Sequence, residues 1–167
     1  MPHTVINLRQ QLIQTPVGPF RACWTERGLQ CFEFFRGKSA SVPWTDAKDL
    51  PPEAESLESA VQAYFETGNF EFDLGLLDWS GVSDFQQRVL RKCYRIKPGT
   101  TLTYGQLAAK VGSPAAARAV GGAMARNRWP LLIPCHRVVG SNGKMTGYSG
   151  VGGIDTKVKL LDMERSV

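Results

Sequence analysis

No run of about eighteen apolar residues interrupts this chain, and no basic-then-apolar leader opens it, so neither membrane spanning nor secretion is expected. Its four cysteines, Cys23, Cys31, Cys93 and Cys135, form no CxxC pair and show no zinc-like spacing. Without a secretion signal such thiols read as reduced, which places the protein in the cytoplasm. Cys23 and Cys31 with His3 form the nearest thing to a ligand set; the spacing is poor, and no metal or other cofactor is expected. Internal repeats and low-complexity tracts are also lacking. Acidic residues are scarce in one half only. Residues 1–78 carry 6 Lys and Arg against 11 Asp and Glu, whereas residues 79–167 carry 14 against 4. That asymmetry suggests that the second half meets a polyanion. A length of 167 residues allows one ordinary domain or two small ones, divided here into a scaffold at 1–78 and a working unit at 79–167.

The first half reads as a small α+β unit. Short strands are predicted over 11–14, 20–24 and 29–34, separated by Thr15-Pro16-Val17-Gly18-Pro19 and by Glu26-Arg27-Gly28. Pro51-Pro52 opens a helix whose Ala54, Leu57, Val61, Tyr64 and Phe65 share a face, and Gly68-Asn69 closes it. No catalytic constellation is visible in this half.

In the second half, Ser83 with Gln86 is a capping-box pattern, followed by a helix with Phe85, Val89, Leu90 and Cys93 on one side. Thr103 caps a second helix, with Tyr104, Leu107, Ala108 and Val111 inward. Ser113 and Pro114 are expected to start a third helix over 115–126. Two helices joined this tightly form a helix-turn-helix. Asn142-Gly143, flanked by Val138-Val139-Gly140 and Lys144-Met145-Thr146, predicts a hairpin, which together with the helices resembles a winged helix. The last helix is expected to bury Ile154, Val158 and Leu161.

Two segments carry chemistry. In Ile133-Pro134-Cys135-His136-Arg137-Val138, Pro134 favours an extended Ile133, and a cysteine stands beside a histidine and an arginine. A cysteine of pKa about 8.5 is only about 3% thiolate at pH 7, so a nucleophilic thiol needs such neighbours. A buried structural cysteine is the plainer reading, which the flanking residues disfavour. The third helix is made almost wholly of small side chains, with Arg118 as its one long side chain near the middle. Gly121-Gly122 costs it roughly 1 kcal/mol per glycine against alanine. Either a neighbouring helix packs closely there, or the helix enters a narrow groove. The minor groove, about 6 Å wide, suits small residues better than a bulky recognition helix.

Taken together, Phe85-Gln86-Gln87-Arg88-Val89-Leu90, Thr103-Tyr104-Gly105-Gln106-Leu107-Ala108, Ala116-Ala117-Arg118-Ala119-Val120-Gly121-Gly122-Ala123-Met124, Asn127, Pro130, Pro134-Cys135-His136-Arg137-Val138, Gly147-Tyr148-Ser149-Gly150 and Leu160-Leu161 before Glu164 resemble the O6-alkylguanine-DNA alkyltransferase family. The resemblance covers most of 82–164; the N-terminal half matches only through its Thr-Pro-Val-Gly turn and element order. It implies an RNase H-like three-stranded antiparallel sheet with a helix, then a winged helix-turn-helix-like domain. It also implies direct DNA repair without a cofactor: a flipped O6-alkylguanine in duplex DNA loses its alkyl group to Cys135. His136 and Glu164 then belong to a Glu–His–water–Cys network, and Asn127 ties the recognition helix to the active-site turn. Tyr104 works at the target phosphate and the departing guanine, and Arg118 is the finger that fills the vacated stack. Ala117, Ala119, Gly121 and Gly122 line the DNA-facing helix; Pro130, Val138, Tyr148 and Ser149 wall the pocket. The protein is expected to act as a monomer on the minor groove, with cooperative binding and O4-alkylthymine as open questions. Alignment at Lys157 is uncertain because Gly152-Gly153-Ile154-Asp155 lengthens the preceding turn.

A Cys–His hydrolase is the rival enzyme, but it leaves the basic half idle and needs an oxyanion hole and turnover. A non-repairing lesion detector is disfavoured by the presence of Cys135. A sequence-specific regulator is disfavoured by a recognition helix without polar base-reading side chains.

Overall fold

A computed structural model describes residues 7–37, 43–146 and 153–167. The three predicted strands form β1 (Arg9–Ile13), β2 (Phe20–Thr25) and β3 (Gly28–Phe34), an antiparallel sheet in the order β1-β2-β3. Gly28 turns the β2–β3 corner at φ +123°, and a Cβ there would lie 2.2 Å from the Leu76 carbonyl oxygen, so only glycine fits. Helix α1 (Glu53–Thr67) buries Ala54, Leu57, Val61 and Tyr64 as its spacing predicts, and Gly68 closes it at φ +77°. Gln11 helps to dock the helix on the sheet. Its amide donates to the Ala54 carbonyl at 3.0 Å and accepts from Trp24 Nε1 at 3.3 Å.

Helix α2 (Asp84–Tyr94) starts under Ser83, whose hydroxyl accepts from Gln86 N. Only half of the expected box forms, because the Gln86 side chain donates instead to the Arg126 carbonyl at 3.1 Å, linking α2 to a later helix end. The full reciprocal box appears at Thr103 and Gln106, opening α3 (Tyr104–Lys110) after a two-residue strand β4 (Leu102–Thr103). Helix α4 runs Ala117–Ala125, starting later than expected. Ser113 to Ala116 form a turn closed by Ala116 N–H on the Ser113 carbonyl at 2.9 Å. Pro114 therefore occupies the second position of a turn, where its fixed φ also fits, and Ser113 caps no helix.

Two further expectations are corrected. Asn142 and Gly143 do make a tight turn, both at positive φ, but no strand follows over 144–146. Strand β5 (Val138–Val139) instead lies parallel to β4. In α5 (Ile154–Ser166), Ile154 and Val158 are exposed, and the inward face is Thr156, Lys157, Leu160, Leu161 and Glu164. That face is half polar because it closes over charged groups as well as over the apolar core, which Leu160 joins.

The buried apolar cluster continues across the expected boundary at 78/79, from Ile13 to Leu160. Hydrogen bonds stitch the two sides together. Phe32 N–H meets the Arg128 carbonyl at 2.8 Å, and Trp129 Nε1 donates to the Leu29 carbonyl at 2.9 Å.

Candidate active site

Cys135 opens a single 3-10 turn, Cys135–Arg137, placed between a buried loop and β5. The loop before it is tightly held. Trp129, Leu131, Leu132 and Ile133 are buried, and Leu131 takes φ 75°, which is uncommon for a residue with a branched side chain. Asn127 organises this loop from both ends of its amide: Oδ1 accepts from Trp129 N at 3.0 Å and Nδ2 donates to the Ile133 carbonyl at 3.1 Å. The last turn of α4 is thereby tied to the cysteine turn. Cys135 itself remains partly accessible, whereas His136 and Arg137 are buried.

Behind the cysteine lies a charged cluster drawn from three elements. His136 Nε2 is 2.7 Å from Glu164 Oε1. Arg137 grips the same carboxylate, with NH2 2.7 Å from Oε1 and Nε 3.0 Å from Oε2, and its NH1 donates to the Ile96 carbonyl at 2.6 Å. The hydroxyl of Tyr64, from α1, donates to Glu164 Oε1 at 2.7 Å. Gly99 N–H reaches Oε2 at 3.3 Å. Lys157, with no exposed surface, donates from Nζ to the carbonyls of Val138 at 2.6 Å and Thr146 at 3.0 Å.

Protonation follows from these contacts. Burial opposes the charge on Glu164, but hydrogen bonds from His136 and Arg137 outweigh it and hold the carboxyl down at about 2. Glu164 is therefore ionised and can only accept, so His136 carries its proton on Nε2. Burial pushes the histidine below its ordinary value, against the pull of Glu164, so the ring is neutral at pH 7. Its Nδ1 is then a bare lone pair, buried and without a hydrogen-bond partner among the described residues. Burial also pushes the Cys135 thiol up, opposed by the Asn127 amide, the Lys157 charge and the backbone N–H groups of Cys135 and His136. The resting pair is thus thiol and neutral imidazole, and the thiol is not pre-ionised.

The expected DNA-facing residues lie on the outside of the helix-turn-helix. Arg118 and Ala119 are exposed, and Ala117, Gly121, Gly122 and Tyr104 are half-buried. A Cβ on Gly121 would meet only Tyr104 Cδ1 at 4.0 Å, and one on Gly122 only an Arg126 guanidinium nitrogen at 3.6 Å. Close packing on a neighbouring helix therefore does not explain the two glycines. Pro130 and Val138 are buried, Val138 directly after the cysteine turn; Tyr148 and Ser149 lie outside the described residues. Next to β4, Lys92, Arg95, Lys97 and Lys110 surround a cleft of about 270 Å³ with no acidic residue in its lining.

Three members of the cluster were not found by sequence reasoning. Arg137 was visible only as part of the cysteine segment. Lys157 stands four before Leu161 and seven before Glu164, a helical spacing masked by the more apolar stripe from Ile154. Tyr64 was placed in an apolar face, and its signal was the hydroxyl, which a buried tyrosine must satisfy.

Residues 84–166 match the family model described as 6-O-methylguanine DNA methyltransferase, DNA binding domain. A methylated-DNA–protein-cysteine methyltransferase of Mycobacterium tuberculosis is 45% identical over 164 residues, covering 95% of this chain and 93% of its own. One from Methanosarcina barkeri is 39% identical over 158 residues, 93% of this chain and 96% of its own. The crystal structure of Mycobacterium tuberculosis OGT in complex with DNA has a TM-score of 0.77 to this fold at 38% identity, covering 95% of this chain and 93% of that one. The chain belongs to the methylated-DNA–protein-cysteine methyltransferase family, the O6-alkylguanine-DNA alkyltransferases.

Proposed function

We propose that this protein repairs DNA by moving the alkyl group of an O6-alkylguanine onto Cys135, once per molecule. The thiol proton passes to His136 Nδ1, directly or through one water. The sulfur then forms a bond to the alkyl carbon as the carbon–oxygen bond breaks, and the pair of electrons leaves on guanine. Tyr104 donates a hydrogen bond to that departing base, which regains a proton as normal guanine. Glu164 stabilises the imidazolium formed in the step, and Lys157 supplies a nearby positive charge for the transient thiolate. The product is a thioether, which no base or water in such a site readily expels, so the cysteine is consumed. One juxtaposition carries this reading: a half-buried cysteine directly precedes a neutral histidine whose Nδ1 has no partner among the described residues and whose Nε2 is locked on an ionised carboxylate.

The substrate reaches this cysteine by nucleotide flipping from the minor groove, with α4 in the groove and Arg118 in the stack. Exposed small residues on α4, glycines not needed for internal packing and a cleft of four cations next to β4 support this. Mass spectrometry after exposure to duplex DNA with O6-methylguanine tests the reaction. A gain of one methyl on Cys135, absent in Cys135→Ser, is expected; continued repair beyond one methyl per protein excludes it. O4-alkylthymine is tested in the same assay.

The groove role of α4 has its own test. Gly122→Leu is expected to raise the unfolding free energy by about 0.5–1 kcal/mol, because glycine is a poor helix former and a Cβ there makes only ordinary contact with the end of the flexible Arg126 side chain. The same change should weaken duplex binding by at least about tenfold, since a branched side chain does not fit a groove about 6 Å wide. Urea denaturation and fluorescence anisotropy measure the two effects. Gains in both stability and affinity contradict the placement.

A further inference from the structure

Tyr64 brings a side chain of α1 into the charged cluster. Its ring is fully buried, edge-on to Phe65 and to His136. Its hydroxyl donates to Glu164 Oε1 at 2.7 Å and lies 3.4 Å from His136 Nε2. Oε1 also receives the Nε2–H of His136 and the NH2 of Arg137, each at 2.7 Å. Donors from three side chains converge on one oxygen, which fixes the rotation of the carboxylate. Any acceptor would satisfy a buried phenol, and a carbonyl would do so at less cost. This phenol is spent on the group that sets the histidine tautomer.

We propose that Tyr64 is a positioning residue for alkyl transfer: through Glu164 it holds the His136 ring with Nδ1 towards Cys135 and keeps the transferred proton on that ring. The inference rests on the alkyl-transfer reading and extends it to the N-terminal half, which then orients the base as well as supporting the fold. The proton balance is simple. Cys135 loses its proton to His136 Nδ1, Glu164 stays ionised, and Tyr64 keeps its proton throughout. Burial and the Glu164 charge push the phenol well above its ordinary value, so it does not ionise. By taking up part of the charge on Oε1, the hydroxyl also makes the carboxylate a poorer competitor for the imidazolium proton.

Tyr64→Phe keeps the ring and removes the oxygen. Single-turnover uptake is measured with O6-methylguanine in duplex DNA and with O6-methylguanine as the free base. A rate about tenfold lower near pH 7 is expected on both substrates, with the deficit shrinking as pH rises and the thiol begins to ionise without its base. In a His136→Asn background, Tyr64→Phe should add no further loss, because it acts only through the histidine. Should Tyr64→Phe not fold, Tyr64→4-aminophenylalanine, a weaker donor in a similar volume, carries the test with a smaller deficit of the same pH trend. A deficit independent of pH, one confined to duplex DNA, or additive losses in the double variant overturns the inference alone. Absence of uptake by the unaltered protein removes the alkyl-transfer reading and this inference with it.

Discussion

Glu164→Gln is expected to lower stability at pH 7 by about 3–5 kcal/mol, the usual cost of stranding one partner of a buried ion pair. The stranded groups are Arg137, which loses its bidentate acceptor, and His136, which loses the anion that fixes its tautomer. The pH dependence has a definite sign. The folded carboxyl titrates at about 2, below its ordinary value, so its contribution is fully present above the unfolded pKa of about 4.3. It is lost as pH falls from about 5 through about 2, and a shift of this size corresponds to about 3 kcal/mol. Urea denaturation at a series of pH values should therefore show the unaltered protein losing stability steeply across that window. Glu164→Gln should start lower and change less, so that the two curves converge near pH 2. Parallel curves exclude the pairing. Alkyl uptake in the variant should also fall by at least about a hundredfold, because the base is no longer oriented and its cation no longer stabilised.

Local rules made much of this fold readable in advance. Turn residues at 15–19 and 26–28 bracket the strands, and Ala54, Leu57, Val61 and Tyr64 are buried at the helical spacing of α1. Thr103 and Gln106 cap α3 as their spacing requires. Apart from the late start of α4, which a local turn explains, the failures share one cause, a partner supplied from far along the chain. Gln86 has the right spacing to close a capping box, yet the Arg126 carbonyl, 40 residues on, takes its amide. Val138-Val139 reads as the first arm of a hairpin, but β4 offers it a parallel neighbour. Helix α5 turns its polar stripe inward because Arg137 and His136 wait beneath it, and no local pattern announces that. At the site, chemistry-bearing residue types next to one another were legible, whereas Tyr64, 72 residues from His136, was not. The glycines of α4 lie between these cases. Their helical cost was visible in the sequence, and the absence of any tight contact at their Cβ positions among the described residues separates an external groove from an internal contact.

Arg118→Ala should slow alkyl uptake from duplex DNA by about a hundredfold while leaving uptake from the free modified base within about twofold. The guanidinium is exposed on α4, far in role from the buried cluster, and so has no part in proton transfer. Flipping a nucleotide costs a few kcal/mol of stacking and pairing, and a side chain occupying the gap recovers part of it. Losing about 2.8 kcal/mol of that recovery is a hundredfold in rate. A phosphate-binding arginine would give the same slowing for another reason, so the salt dependence of binding separates the two. Removing one phosphate contact reduces the slope of log K against log salt by about 0.9, whereas removing a side chain from the stack leaves it unchanged. Single-turnover rates on both substrates, with binding isotherms at several salt concentrations, settle the assignment. Equal slowing on duplex and free base places Arg118 in the chemistry. A reduced slope with slow duplex repair places it on the backbone. Only a duplex-specific loss at constant slope makes it the residue that holds the vacated stack open.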